Sequence, residues 1–309
     1  MEDNIVMKDV LLLGNGMNRI SQDYSWENLI ISLIDRFCDG NVNHDKDYSK
    51  PFPLLYEEIL SYALLHEKGD ESTIKNFIKD EIGKISLNDS HLLIPESNFN
   101  EILTTNYDET IEKAIGGDIK FNNNAQVEEQ KYSLLRKKVA EGVDKSVWHI
   151  HGEVAKPNTI TLGYEQYAGY LQNIRASVTV GNKYTNFELP NLWDRIELGN
   201  TDTWIDYLFN RNVHIVGLSL DFSEIDLWWL LVYRSRQKHN YNIEKNNYRI
   251  SNQIFYYYAQ SPRINKTDIG KLEILNSLDV TLVPIELKGK RWIDYYRKVF
   301  ERISFNRVI

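Results

Sequence analysis

Two short polar runs carry residue types able to do chemistry: Thr104-Thr105-Asn106-Tyr107-Asp108 and His149-Ile150-His151-Gly152. Each closes a short apolar run, so each reads as a buried strand handing polar side chains to a turn. In an open α/β sheet, ligands bind outside the carboxyl ends of the strands. An Asn amide both donates to and accepts from a ribose hydroxyl or a water. A His that titrates near neutrality can move a proton, an effect worth roughly 10²–10⁴-fold in rate. A structural reading competes: Asn106 in a left-handed turn, Asp108 capping the next helix. His149 and His151 are two apart and share a strand face. His149, deeper along the strand, reads as a hydrogen-bonded core histidine. No cysteine or third histidine stands near the pair, so no metal is expected.

Gly14-Asn15-Gly16 and Gly217-Leu218-Ser219 supply two glycine turns, each after an apolar run. Glycines let backbone approach a pyrophosphate, and a following helix would add free N–H groups. Arg19 stands where a third glycine would complete a dinucleotide fingerprint, and is either a phosphate partner or a solvated side chain. Taken with Asn106, Asp108 and His151, the turns point to an enzyme that cuts a dinucleotide at a glycosidic bond. Asp221, Glu224 and Asp226 follow the second turn. Glu224 and Asp226 read as first-turn carboxylates matched to a helix dipole, ahead of any catalytic role.

The elements that must position these groups follow from periodicity. Strands are expected at Lys8–Leu13, Glu101–Thr104, Ser146–Ile150, Thr159–Leu162, Val213–Val216, Gln253–Tyr258 and Val280–Pro284. Helices are expected after a Ser25 cap, at 53–68, 73–86, from Asp108, at Ser223–Arg236, 267–277 and 290–303. Residues 238–247 read as a surface loop. Strands alternating with helices give an α/β fold, a Rossmann-like parallel sheet with helices on both faces. Residues 40–100 and 165–210 carry fewer strand signals and read as helical insertions in one domain spanning 1–309. The helix near 225–232 is apolar on nearly every side, which suits a core or a subunit interface.

The bulk numbers bound the function. The chain has 309 residues, 42% of them apolar, and a net charge of −8. An acidic surface argues against direct nucleic-acid binding as the primary role. Nineteen Tyr and seven Trp leave aromatics to line a pocket or a contact between subunits. The one cysteine, Cys38, falls on the apolar face of a helix and reads as a core thiol; with one cysteine there is no intrachain disulfide. No segment is apolar enough for a signal peptide or a membrane span, so no membrane association and a cytoplasmic location are expected.

In this order the motifs resemble the sirtuin-like family, in its bacterial anti-phage branch of NAD hydrolases. Gly14-Asn15-Gly16-Met17-Asn18 is similar to the family's Gly-Ala-Gly-x-Ser loop, and Ser25-Trp26 to the pair that follows it. Thr105-Asn106-Tyr107-Asp108 resembles the Gln-Asn-x-Asp motif in its Thr-Asn-Tyr-Asp form. His151-Gly152 looks like the catalytic His-Gly, and Gly217-Leu218-Ser219 like the later nucleotide loop. The likeness runs in patches over residues 8–285.

The resemblance implies NAD as substrate, hydrolysed to nicotinamide and ADP-ribose, with no metal. Asn106 would hold water and ribose hydroxyls, His151 would act as base, and Asp108 would orient the ribose or its loops. Gly14, Asn15, Gly16, Asn18, Thr105, Gly217 and Ser219 would bind the cofactor. The four-cysteine zinc module of deacetylating sirtuins has no counterpart here, and Thr105 replaces their Gln; both argue for hydrolysis. An NAD-depleting enzyme must be held off, which implies a homo-oligomer and an activating defence protein or phage trigger. A non-cleaving nucleotide sensor and an NAD-dependent deacylase or ADP-ribosyltransferase are the alternatives.

Overall fold

The computed structural model describes residues 9–20, 26–44, 50–116, 118–121, 131–184, 187–239, 250–260, 265–287 and 291–306. Lys8, Ser25 and residues 240–247 of the expected loop lie outside them.

Short apolar runs build the centre. β1 (Val10–Leu13) and β8 (Val213–Val216) are buried along their whole length. β2 (Glu101–Thr104), β5 (Lys145–His149), β9 (Ile254–Gln260) and β10 (Val280–Glu286) join them. The sheet has eight strands in the order β10-β9-β8-β1-β2-β5-β4-β3. The first six in that order are parallel. β4 (Lys137–Glu141) and β3 (Asp118–Phe121) extend the β5 edge antiparallel. This is the Rossmann-like α/β arrangement, with a hairpin edge that periodicity did not anticipate. Strand order reverses between β1 and β8, the place where such sheets open a crevice.

Register does the positioning. Leu13 pairs with Thr104 on one side and Val216 on the other, and Thr104 pairs with His149. The residues that follow are Gly14, Thr105, Gly217 and Ile150-His151. All four exits therefore stand level at one end of the sheet.

Alternation along the strands splits the core. Leu12 and Val10 face a cluster formed with α5 (Tyr164–Thr179), α7 (Trp204–Asn210) and α8 (Ile225–His239). Leu11 and Leu13 face the other side, against α4 (Thr110–Ile115) and α10 (Trp292–Asn306). A third cluster is built by α1 (Trp26–Cys38), α2 (Phe52–Leu65) and α3 (Glu71–Ile82), and it lies over the loops after β2 and β5 through Tyr107, Val154 and Ile160. α6 (Leu192–Glu197), α9 (Lys266–Ser277) and a ribbon of β6 (Asn182–Lys183) with β7 (Glu188–Leu189) complete the described elements.

Two expectations change. Thr159–Leu162 is not a strand: Thr159 ends a 3₁₀ turn, and Thr161 bonds back to the His151 carbonyl at 2.8 Å. The first glycine turn leads into a single 3₁₀ turn, Asn18–Ile20, with α1 starting only at Trp26. No α-helix dipole therefore starts at that turn.

A buried ionic group holds β5 and α4 together beneath the Asn106 loop. His149 Nε2 meets Glu112 Oε1 at 2.6 Å, and its Nδ1 donates to the Asn106 carbonyl at 2.9 Å. Lys138 reaches Glu153 at 2.5 Å and Glu112 at 3.3 Å. Burial alone would raise the Glu112 carboxyl, but His149 and then Lys138 outweigh it and hold its pKa at about 2. Burial opposes charge on His149 as well, and Glu112 raises it nonetheless. Glu112 thus stabilises the fold above its unfolded value of 4.5, and that contribution fades as pH falls toward 2. The His149 share is present at low pH and fades as pH rises through its raised value. Glu112→Gln should cost on the order of 3 kcal/mol at pH 6 and flatten the acid limb of stability between pH 4.5 and 2. Urea midpoints measured across that range check it; parallel acid limbs for the two proteins would contradict it.

Candidate functional site

The four strand exits close on a cavity of about 240 Å³, lined by Asn15, Gly16, Arg19, Thr105, His151, Gly217 and Ser219, together with aromatic and acidic residues. Backbone bonds knit its floor. Gly14 N–H donates to Val216 O at 3.1 Å, Gly16 N–H to Gly217 O at 2.8 Å, and Thr105 N–H to Leu13 O at 3.1 Å. The contacts explain the glycines. A Cβ on Gly14 would meet Leu218 Cα at 2.5 Å, and one on Gly16 would meet Tyr296 Oη at 2.6 Å. Gly152 combines φ +96° with backbone of Thr159 where a Cβ would sit, so it is excluded from substitution twice over.

His151 leaves the β5 end fully buried, and its Nε2 donates to Asp226 Oδ2 at 2.8 Å. Asp226 comes from the first turn of α8 and is itself fully buried. The bond occupies Nε2 and leaves Nδ1 for substrate. The rings of Tyr167 and Tyr170 stand edge-on to the imidazole at 5.4 and 6.0 Å. Burial lowers the His151 pKa, but the Asp226 carboxylate and then Glu224 more than reverse it, so the net shift is upward.

Two carboxylates read as dipole partners therefore belong to the site. Asp221 does the local capping: its Oδ1 accepts from Ser223 N–H at 2.9 Å. Asp226 instead pairs with His151. Glu224 lines the cavity, and its Oε2 is buried without a partner. Burial first, then Asp226 and Asp221, push the Glu224 carboxyl up to about 7, against the pull of His151. The sequence holds a signal for this. Asp226 sits between Ile225 and Leu227 on an otherwise apolar stretch, and a charge buried there needs a counter-charge.

The remaining expected residues stand behind the lining. Thr105 and Tyr107 reach the cavity, while Asn106 between them turns away. Its Nδ2 donates to Gly14 O at 3.4 Å, and its buried Oδ1 has no partner. Asp108 accepts from Thr110 N–H at 2.9 Å, the helix-capping role weighed from sequence, and from Asn18 Nδ2 at 2.6 Å. Asn18 is a hub: it also donates to Asn15 Oδ1 at 2.8 Å and accepts from His91 Nε2 at 2.8 Å. Asp108 thus reaches the glycine turn only through Asn18. Gly14 is floor rather than wall.

An aromatic wall completes the cavity: Trp26 of α1, Phe52 of α2, Tyr107 and Tyr167. Trp26 packs 5.3 Å from Phe52 and 5.6 Å from Tyr107. Tyr107 is pinned through its hydroxyl, which donates to Thr161 O at 2.6 Å. Such a wall suits a flat heteroaromatic ring. Cys38 lies in the helical cluster away from this lining, and burial first pushes its thiol up to about 11. Among the described residues no group of three His, Cys, Asp or Glu is arranged to hold a metal ion, and no helix is long and apolar enough to cross a membrane.

Comparison with known proteins agrees with this geometry. Residues 100–252 match the SIR2-like domain family, a stretch that includes β2, β5, β8 and the Asn106, His151 and Asp226 positions. The chain is also 22% identical over 172 residues to the NAD(+) hydrolase ThsA of Cytobacillus dafuensis, covering 56% of this chain. The matched stretch spans only 31% of that relative's length. The family match thus assigns a SIR2-like domain to residues 100–252 of this chain.

Proposed function

We propose that this protein hydrolyses NAD at the bond between nicotinamide and ribose, releasing nicotinamide and ADP-ribose. The observation that carries the proposal is the buried His151–Asp226 pair opening onto a cavity at the carboxyl ends of β1, β2, β5 and β8. The relative's name states that activity for the relative, and the cavity offers what the substrate needs. Arg19, with the turns at Gly16 and Gly217, faces the pyrophosphate. The aromatic wall takes the flat rings. Asp221 and Glu224 face the nicotinamide-ribose half of the dinucleotide.

In this reading His151 Nδ1 addresses the reacting ribose, and Asp226 fixes the ring. Asn106 turns from Gly14 toward the sugar, and a ribose hydroxyl supplies the donor that its Oδ1 lacks. Asn15, Thr105, Gly217 and Ser219 contact the nucleotide from the cavity wall. Asp108 and Asn18 hold the glycine turn in place from behind. The biological role we propose is NAD depletion in anti-phage abortive infection, by a homo-oligomer released by a defence partner or phage trigger.

Purified protein incubated with NAD should release nicotinamide and ADP-ribose in equal amounts. His151→Ala and Asn106→Ala should each lower kcat by roughly 10²–10⁴-fold. Variants as fast as the wild type would end the assignment of the site. Expression of the wild type should deplete cellular NAD, and His151→Ala should relieve it.

Asp226→Asn tests the pairing separately. Removing the counter-charge leaves burial to act alone, so the His151 pKa should fall below its wild-type value, and kcat should fall at least tenfold. Histidine ring resonances followed by NMR across pH 5–9 read the shift directly; an unmoved titration would show that Asp226 does not set it.

A further inference from the structure

We propose that Glu224 takes the proton from the attacking water, while His151 stays protonated and acts as an orienting donor to the ribose. The inference rests on the hydrolase reading and reassigns the base within it.

The argument starts from what each group has free. His151 is tied at Nε2 to Asp226 Oδ2, at 2.8 Å and out of solvent. Burial opposes charge on the ring, but the Asp226 carboxylate outweighs it and favours the charged form, and an imidazolium has no lone pair with which to accept a proton. Asp226 spends Oδ2 on that bond and does not line the cavity. Asp221 and Glu224 both open into the same cavity; Asp221 Oδ1 is spent on Ser223, whereas Glu224 Oε2 is buried with no donor. Its backbone is fixed by a bond from Glu224 N–H to Asp221 O at 3.0 Å, so the side chain is presented from a rigid turn.

Charged and titratable groups meet Glu224 from every side. Asp221 and Asp226 come from its own loop and helix, His151 from the β5 exit, and Tyr107 from the β2 exit. Tyr167 comes from α5, Tyr256 from β9, and Arg19 shares the cavity wall. In that setting the carboxyl titrates at about 7. A base works best when its pKa lies near the working pH.

The step balances without a redox partner. The bond between ribose C1′ and the pyridinium nitrogen breaks, and its electron pair leaves with neutral nicotinamide. The water oxygen bonds to C1′, and the proton that it loses passes to the Glu224 carboxylate and then to solvent. NAD and water become ADP-ribose, nicotinamide and one proton.

The test is the pH dependence of kcat and KM for nicotinamide release between pH 5 and 9. The wild type should show kcat rising with pH around a midpoint near 7, as Glu224 loses its proton. Glu224→Gln should lower kcat by about 100-fold, keep KM within about threefold and lose that limb. Thermal melting at pH 6 checks folding, since Gln replaces a largely neutral carboxyl there. If Glu224→Gln does not fold, Glu224→Asp carries the test: it should keep the limb with kcat reduced about tenfold. Glu224→Gln with wild-type rate and limb, or a folded Glu224→Asp with undiminished rate, overturns the base assignment and leaves the hydrolase reading standing. A wild type that neither releases nicotinamide when purified nor depletes NAD on expression overturns both.

Discussion

The His151–Asp226 bond is the interaction on which the site depends. It joins the exit of β5 to the first turn of α8, the helix that follows β8, and β5 and β8 lie on opposite sides of β1 in the sheet. One hydrogen bond therefore clamps the cavity across β5, β2, β1 and β8. Both partners are buried, so neither can be re-solvated if the other is lost. A buried pair of this kind contributes little net stability, yet losing one member is severe, about 3–5 kcal/mol. Its value here is geometric: it fixes one imidazole nitrogen and presents the other.

The glycines serve the same closeness in the backbone. Gly14, Gly16 and Gly217 let two exits pack carbonyl against N–H, with Tyr296 of α10 closing from the far side. Gly152 lets the 157–161 segment pass directly over the His151 turn, where Thr161 bonds back to the His151 carbonyl. That crossing is also why residues 159–162 do not extend a sheet. Their hydrogen bonds and the Tyr107 hydroxyl bond are spent on the site. Asn18 then ties the first turn to Asp108 and, through His91, to the segment before β2.

Much of this was legible in the residues. Six parallel strands announced themselves as short apolar runs closed by glycine or a polar turn, and the central β1 and β8, buried on both faces, have no polar side to show. The antiparallel edge was not legible. Three of the five residues of Lys137–Glu141 are charged, which masks a strand pattern, and the fold brings Glu109, Glu112 and Glu153 around the buried Lys138. The Thr-Asn-Tyr-Asp and His-Gly runs border the candidate cavity, and geometry sorts their members into wall and support. Glu224 and Asp226 were the larger miss. First-turn carboxylates are common enough on dipole grounds to hide a buried one, and what distinguishes Asp226 is a partner 75 residues away in sequence.

Charge is distributed unevenly around the cavity, with Arg19 at the first glycine turn and Asp221, Glu224 and Asp226 gathered at α8. For a dinucleotide with an anionic pyrophosphate and a cationic ring, that polarity sets orientation. It bears on rate only if the carboxylates favour the transition state over bound substrate. As the glycosidic bond stretches, positive charge leaves the pyridinium ring and moves onto the sugar. A carboxylate nearer the sugar than the ring therefore gains attraction as the reaction proceeds, and one nearer the ring loses it. Asp226, behind His151 and out of reach of any ring, is placed to act only through the imidazole. Glu224, on the wall beside it, is the carboxylate whose attraction can grow as the sugar becomes cationic, and a growing field is what accelerates the step.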